Sequence, residues 1–370
     1  MKKILTAIAL SAIFATSAFA FGSKNQNSEL VLVPTMKTST AQQNRAWVGT
    51  FQIVWNDFQN NIIKGPVRFV GDEKNPVVKE LNKQRFKASM LSANSYYKTY
   101  GEISPELKLQ IETAIKEKFD ETSDILEKFD WTPEPDKYLV YAMLKKDFKF
   151  AAPFDKLEPS RFGNFRGKVK YFGIDEDSDK ELRKIVNVLF YNSKDDFAVS
   201  IETSGKDVVY LYRTDDNKTF DRLYSDMHLK KAGYMGWHDF KDTDELRVPD
   251  VNLYKMEDYT ELTNKQIEGT NLKISEAVQT AEFKMNNEGV ELKSEAAMGI
   301  EKMSLRHPSD PIPPRYFYFD DTFVIFMQEN DKKLPYFALR IYDLNLVNKT
   351  GKPDKSDNSE KNEKENKKQK

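Results

Sequence analysis

Side chains that commonly do chemistry are scarce in this sequence. It has three histidines, His228, His238 and His307, and no cysteine. Without cysteine there is no thiolate nucleophile, no sulfur-ligated zinc and no disulfide. None of the histidines lies in an HExxH pattern or pairs with another at metal-ligating spacing. The chain also lacks a GxSxG nucleophile turn and a glycine-rich phosphate loop. A metal or serine hydrolase is therefore not expected. The best match to a calcium loop is Asp175-Glu176-Asp177-Ser178-Asp179, with oxygen ligands at alternate positions. It fails further on, because Lys180 stands where the turn glycine belongs and Val186 where the bidentate glutamate belongs, which leaves a solvated acidic turn. Asp and Glu together number 58, yet no spacing singles out a catalytic pair. The expectation is a protein that is not an enzyme and uses neither cofactor nor metal.

Composition bounds the alternatives. Lys and Arg number 57, which leaves a net charge of -1, so no global field recruits nucleic acid or an anionic membrane. With 39% hydrophobic and 12% aromatic residues in 370, the chain can build a large core. Residues 1–20 have the form of a cleavable signal peptide: Lys2 and Lys3, an apolar run from Ile4, and Ser17-Ala18-Phe19-Ala20 as the small-residue cut site. Cleavage after Ala20 would send the product to the periplasm or outside the cell, with no membrane attachment afterwards. A single folded domain is expected from 35 to 348. Residues 349–370 carry eight lysines, five acids and no large apolar side chain, and are expected to be a disordered charged tail.

The elements that would position any functional loop come in two textures. Residues 21 to about 45 are polar and predict a loosely held lead-in. Trp47, Phe51, Trp55, Phe58 and Ile62 recur at helical spacing and predict a buried amphipathic helix. Leu107, Ile111, Ile115 and Phe119 predict a second, capped by Ser104 with Pro105 in its first turn. After Pro135 the chain turns to short β-branched and aromatic runs: 138–144, 186–191, 197–203, 208–212, 246–253, 281–285 and 323–327. Helices first and strands later predict an α+β fold with mostly antiparallel connections.

Five of these segments, in order, resemble the serpin family. They are YLVYAMLKKDFKFAAPF from Tyr138, FAVSIETSGKDVVYLYRTDD from Phe197 and LRVPDVNLYKMEDYTEL from Leu246. NLKISEAVQTAEFKMNNEG from Asn271 and IPPRYFYFDDTFVIFM from Ile312 complete the set, the last departing at Asp321. The helix around Phe51 to Phe58, followed by NIIKGPVRF from Asn61, is similar to the family's first helix and next strand. The resemblance implies that several of the family's helices are shortened or missing here. At three positions of the family's polar shutter Gly65 replaces a serine, Tyr141 an asparagine and Gln279 a histidine. The resemblance implies a large central, mostly antiparallel sheet with packed helices, a second smaller sheet region and an exposed reactive-centre-like loop.

It also implies a mechanism: a target protease cuts the loop, whose N-terminal half then enters the central sheet as a new strand with the acyl-enzyme attached. The hinge would comprise Glu288, Gly289, Val290, Glu291, Leu292, Ser294 and Ala296. Here the period-two pattern that insertion needs is present. Val290, Leu292, Ser294, Ala296 and Met298 fall on one face, and Glu291, Lys293, Glu295 and Ala297 on the other. Counting on from Gly289 as the family does gives Met303–Ser304 as the bait bond, suited to elastase- or chymotrypsin-like enzymes. Leu305 and Arg306 are the alternatives, Arg306 pointing to trypsin-like targets. The expected partner is a serine (or cysteine) protease, met by a monomer. The runner-up reading is a non-inhibitory binding or carrier protein on the same fold.

Overall fold

The computed structural model describes residues 29–164, 167–291 and 314–344. Its largest sheet has seven strands in the order β1 (Val31–Leu32), β2 (Arg45–Val48), β17 (Phe337–Ile341), β16 (Phe323–Glu329), β10 (Asp207–Arg213), β9 (Asp196–Glu202) and β8 (Val186–Ser193). All its neighbours are antiparallel except β1 and β2. β16 is buried along its whole length, FVIFMQE, because other strands flank it and layers cover both faces. A four-stranded side sheet runs β15 (Tyr316–Tyr318), β11 (Glu245–Pro249), β7 (Val169–Ile174), β6 (Asp155–Ser160).

The front layer is in two pieces. One is a four-stranded sheet, β12 (Val251–Asp258), β13 (Val278–Met285), β14 (Gly289–Glu291) and β5 (Phe148–Lys149). The other is the pair β3 (Tyr96–Glu102) and β4 (Tyr138–Leu144). The main core fills the space between this layer and the seven-stranded sheet, where Phe283 stacks on Phe337 with ring centroids 4.8 Å apart.

Helix α1 (Thr50–Asp57) continues as a π-helical stretch over Phe58–Ile63, and buries Phe51 and Trp55 against Val67, Phe69 and Tyr259. α2 (Pro76–Leu81) is capped by Asn75. α3 (Pro105–Phe119) begins as its sequence predicts, with Ser104 Oγ accepting from Leu107 N at 3.2 Å, and lays Leu107, Ile111 and Ile115 on Leu139 and Tyr141 of β4. α4 (Lys180–Lys184) is capped by Asp179, so the acidic turn before it serves as a helix cap. α5 (Phe220–Gly233) packs Phe220 on Phe326.

The chain thus folds as the α+β, mostly antiparallel arrangement that its pattern predicts, with four differences. Trp47 belongs to β2, not to the first helix, because the chain bends at Gly49, whose absent Cβ leaves room for the Phe86 ring. The run 246–253 is two strands in two sheets, parted after Pro249, which lacks the N–H to continue a ladder. The packed chain starts before residue 35: Leu30, Leu32 and Val33 join the core, and Leu32 N donates to Glu257 Oε2 at 3.0 Å. The polar texture of 21–45 hides those three apolar residues. Finally, the large central sheet that the serpin resemblance implies is in two pieces here, β3-β4 and β12-β13-β14-β5. Among the described residues no helix is long and apolar enough to cross a membrane. The signal-peptide residues 1–20, the boundary at 348 and the tail at 349–370 lie outside the described residues.

Candidate functional site

The hinge begins in a tight turn. Asn286 Oδ1 accepts from Glu288 N at 2.9 Å and Gly289 N at 3.3 Å, and Asn286 N donates to Gly289 O. This reverses the chain after β13 and feeds it back as β14. There Met285 pairs with Val290 and Lys284 with Glu291 on one side, while Gly289 pairs with Lys149 and Val290 with Phe148 on the other. Glycine is required at 289: a Cβ there would lie 2.3 Å from Phe148 O and 2.7 Å from Lys149 Cα, both backbone. Val290 is buried and Glu291 exposed beside Lys284, as the alternation predicts for its first two residues. Glu288 is exposed. Gly289 and Val290 are therefore already sheet residues rather than part of an exposed loop. Leu292, Ser294, Ala296 and the candidate bait residues Met303, Ser304, Leu305 and Arg306 lie outside the described residues.

Beside β14 lies a cleft of about 590 Å³, walled by β4 and β13 and floored by Thr50, Phe51 and Trp55 of α1. On β4 the core-facing Val140, Ala142 and Leu144 are only half-buried. The opposite wall presents Ala281, with Gln279 at its lower end. Gln279 is fully engaged: its Nε2 donates to Thr50 Oγ1 at 2.7 Å and Val48 O at 3.2 Å, and its Oε1 accepts from Tyr259 Oη at 2.7 Å. Burial drives the Tyr259 hydroxyl well above its ordinary value, so it remains a donor. Of the three shutter positions, Gln279 and Tyr141 line this cleft, whereas Gly65 sits with open space around it, outside the lining.

A strap crosses the cleft. The chain from α3 to β4 is tied to β4 at one end, where Lys145 Nζ meets Glu121 Oε1 at 2.7 Å and Phe119 O at 2.6 Å. Tyr141 bonds Ser123, and burial pushes its hydroxyl up to about 12. At the other end Lys128 Nζ reaches Asp258 of β12, 2.8 and 3.0 Å from its two oxygens.

The top of β4 is pinned by a buried ionic cluster. Lys146 Nζ lies 2.5 Å from Glu329 Oε1 and 2.9 Å from Asp207 Oδ1. Ser92 donates to Glu329 through N and Oγ, and Tyr336 Oη donates to Asp207. Two carboxylates share one lysine, so their titrations separate. Burial raises Asp207, with the Glu329 charge adding to it. For Glu329 burial also acts upward, but the bonds from Lys146 and Ser92 outweigh it and hold the group low. Sequence reasoning missed this cluster, since Lys146, Asp207 and Glu329 are ordinary charged residues at strand ends.

The histidines occupy structural settings. His238 Nδ1 is 2.8 Å from Val188 O, and His228 packs against Tyr224 with centroids 4.4 Å apart. His307 lies outside the described residues.

No family model matches the chain, and no curated protein matches it. Several solved structures are similar. Thyroxine-binding globulin in complex with thyroxine aligns at 14% identity and a TM-score of 0.42 over 64% of this chain and 64% of that one. The human thyroxine-binding globulin complex with thyroxine gives 14%, 0.39 and 65% of each chain. Serpin48, a highly specific serpin of the insect Tenebrio molitor, gives 14% and 0.43 over 82% of this chain and 92% of its own. The chain spans just under two thirds of the length of the two globulin structures. These are likenesses of fold alone, and ligand and target are not inherited from them.

Proposed function

We propose that this is an exported serpin-type inhibitor of serine (or cysteine) proteases, in which the segment after Glu291, once cut, fills the cleft between β4 and β13. The observation that carries the reading is β14, a strand already registered with β13 on one side and, on the other, with β5, the stretch of chain that follows β4. Continuing the register along β13 sets Leu292 opposite Phe283, Ser294 opposite Ala281 and Ala296 opposite Gln279. Continuing it from β5 sets Leu292, Ser294, Ala296 and Met298 opposite Lys146, Leu144, Ala142 and Val140. Directly opposed residues share a face. The apolar half of the alternation therefore meets the apolar, half-buried half of β4. The charged half follows suit: Glu291 already sits 3.6 Å from Lys284, and Lys293 would stand opposite Glu282.

The magnitudes favour filling. Burying Leu292 and Met298 contributes about 3–6 kcal/mol, against about 1–3 kcal/mol for overpacking a wall built around alanine. A leader at 1–20, with its small-residue cut site at Ser17–Ala20, supports export.

Incubation with an elastase- or chymotrypsin-like protease is the test. An inhibitor gives an SDS-stable complex cut at or near Met303–Ser304. Replacing Ser294 by Arg, which buries an unpaired charge against Ala281 and Leu144, should abolish the complex and leave the uncut fold intact. Cleavage with release of active protease would instead support a carrier that uses the same cleft without trapping.

A further inference from the structure

We propose that Met235, Trp237 and Tyr316 form a second contact site for the protease that cuts the 292–313 segment. The inference rests on the reading above only in requiring that a protease cuts there, not that insertion follows.

These side chains are 95%, 48% and 41% exposed, and unlike the other exposed apolar groups of the described residues they are tied to one place in the chain. Tyr316 lies two residues after Pro314, where the described chain resumes, Trp237 is joined to that point through Arg315, and Met235 stands two residues before Trp237. Arg315, the next residue, is buried and acts as a bolt. Its Nη1 donates to Trp237 O at 2.7 Å, and its Nη2 to Asp239 O at 2.7 Å and Asp244 Oδ2 at 2.6 Å. The Trp237 ring is braced from one side by Lys241 Nζ, 4.1 Å from its centroid. The connection between α5 and β11 is held down on β8 by His238, with Tyr234 packed on its ring 5.4 Å away. Met235 and Trp237 are thus presented outward from a fixed backbone that is bonded directly to the foot of the loop.

Reach then names the occupant. Met303 lies eleven residues before Pro314 and Arg306 eight, so an extended tether spans at most about 40 Å and 29 Å respectively. A protease of about 230 residues has a radius of gyration near 17 Å and a body about 45 Å across. The enzyme is wider than the tether is long. Engaged on any of the candidate bonds, it is held within that distance of this pole, close enough for the surface beside its active-site cleft to meet it. Tryptophan and methionine are enriched where proteins meet, and tryptophan anchors carry much of the energy. The face they fit is an apolar one, flanking the subsites that take residues after the cut.

The test uses the full chain carrying Met235→Ser with Trp237→Ala, and reads kcat/KM for cutting within 292–313 by an elastase- or chymotrypsin-like protease. The same enzyme's rate on a free peptide of residues 297–311 gives the contribution of the loop alone. The double variant should be cut about tenfold more slowly, approaching the peptide, with its thermal midpoint unchanged. Trp237→Phe, which keeps a ring, should retain most of the rate, and Leu109→Ser, an equally exposed change on α3, should leave it unaltered. A rate for the double variant within about twofold of the parent overturns the proposal, as does a chain that resists cutting in 292–313. Because the rate of cutting is read, release of active protease afterwards would sink the inhibitor reading and leave this one standing.

Discussion

β16 in the seven-stranded sheet and β4 in the front layer are both seven residues long and mostly apolar, yet β16 is buried at every position while β4 is buried at only two. β16 hydrogen-bonds to β10 and β17 on its two edges. Among the described residues β4 pairs with β3 alone. FVIFMQE and YLVYAML have comparable strand propensity, so the difference lies in what each strand has for neighbours. A sheet whose strands are half-buried beside a lined cleft has stabilisation still to gain, whereas the seven-stranded sheet has none left to take.

This contrast is sharpened most by a pair of core deletions. Phe326→Ala in β16 should lower unfolding stability by about 3–5 kcal/mol in denaturant titration. Leu144→Ala in β4 should cost only about 1 kcal/mol in the uncut protein. After the 292–313 segment is cut, the Leu144→Ala penalty should climb toward about 2–5 kcal/mol, and the Phe326→Ala penalty should not move. Equal penalties before and after cutting would mean that nothing enters beside β4.

The ionic pin at the top of β4 separates the two sheets in another way, because it ties the open one to the closed one. Removing one member of a buried pair leaves a stranded charge, so Glu329→Gln should cost about 3 kcal/mol at neutral pH. Glu329 is held below its ordinary value in the folded protein. Its contribution is therefore complete above the unfolded value and is lost as pH falls through the folded one. The variant and the parent should converge in stability on acidification below the ordinary glutamate range. Asp207, raised by burial, has the opposite sign, so Asp207→Asn should cost less at neutral pH than Glu329→Gln. A Glu329→Gln penalty that stays constant down to acid pH would show that the glutamate acts by shape and not by charge.

Most of the strand content was legible in the sequence, because the β-branched and aromatic runs from Val186 to Tyr212 and at Phe323 each stand between clear turns. Helix α3 was legible because Ser104, Pro105 and the apolar spacing agree. The errors share one physical origin. Trp47 fits a helical period by chance, and its pairing with Ala338 of β17, far along the chain, makes it a strand residue instead. Leu30 and Leu32 look unremarkable until Glu257, far along the chain, bonds the Leu32 amide. The cleft itself was only half legible. The alternation after Gly289 gave the strand that would fill it, but the separation of β4 from β13 depends on pairings between residues far apart in sequence.

Within the open sheet, Gln279 tests whether the cleft floor is braced. It satisfies its amide entirely with Val48, Thr50 and Tyr259. Gln279→Ala would strand the buried Tyr259 hydroxyl and cost about 1–3 kcal/mol. Gln279→Glu keeps the shape but sets a buried carboxylate against the Val48 carbonyl, and should cost at least as much at neutral pH. If both variants are as stable as the parent, the bonds across the cleft floor hold nothing in place.

The smallest expected effect belongs to the strap. Lys128 and Asp258 join the strap to β12, on the far side of the cleft from β4, and both are partly solvated. An exposed pair of this kind is worth about 0.2–1 kcal/mol, so Lys128→Ala should shift the denaturant midpoint slightly at low ionic strength and not at all at 1 M salt, where screening reaches about 3 Å. The apolar hold on the strap is independent of that pair: Leu126 is buried with Ile115 and Phe119, and Trp131 Nε1 donates to Leu126 O at 2.9 Å. Two consequences separate the roles. Loss of the ion pair alone should raise amide hydrogen exchange near 128 while β4 stays protected. Loss of the apolar hold, by Leu126→Ala, should raise exchange in both the strap and β4 and cost about 2–5 kcal/mol. If Lys128→Ala instead exposes β4 amides as strongly as Leu126→Ala does, the clasp to β12 closes the sheet, and the open sheet is held shut by a charge pair rather than by packing.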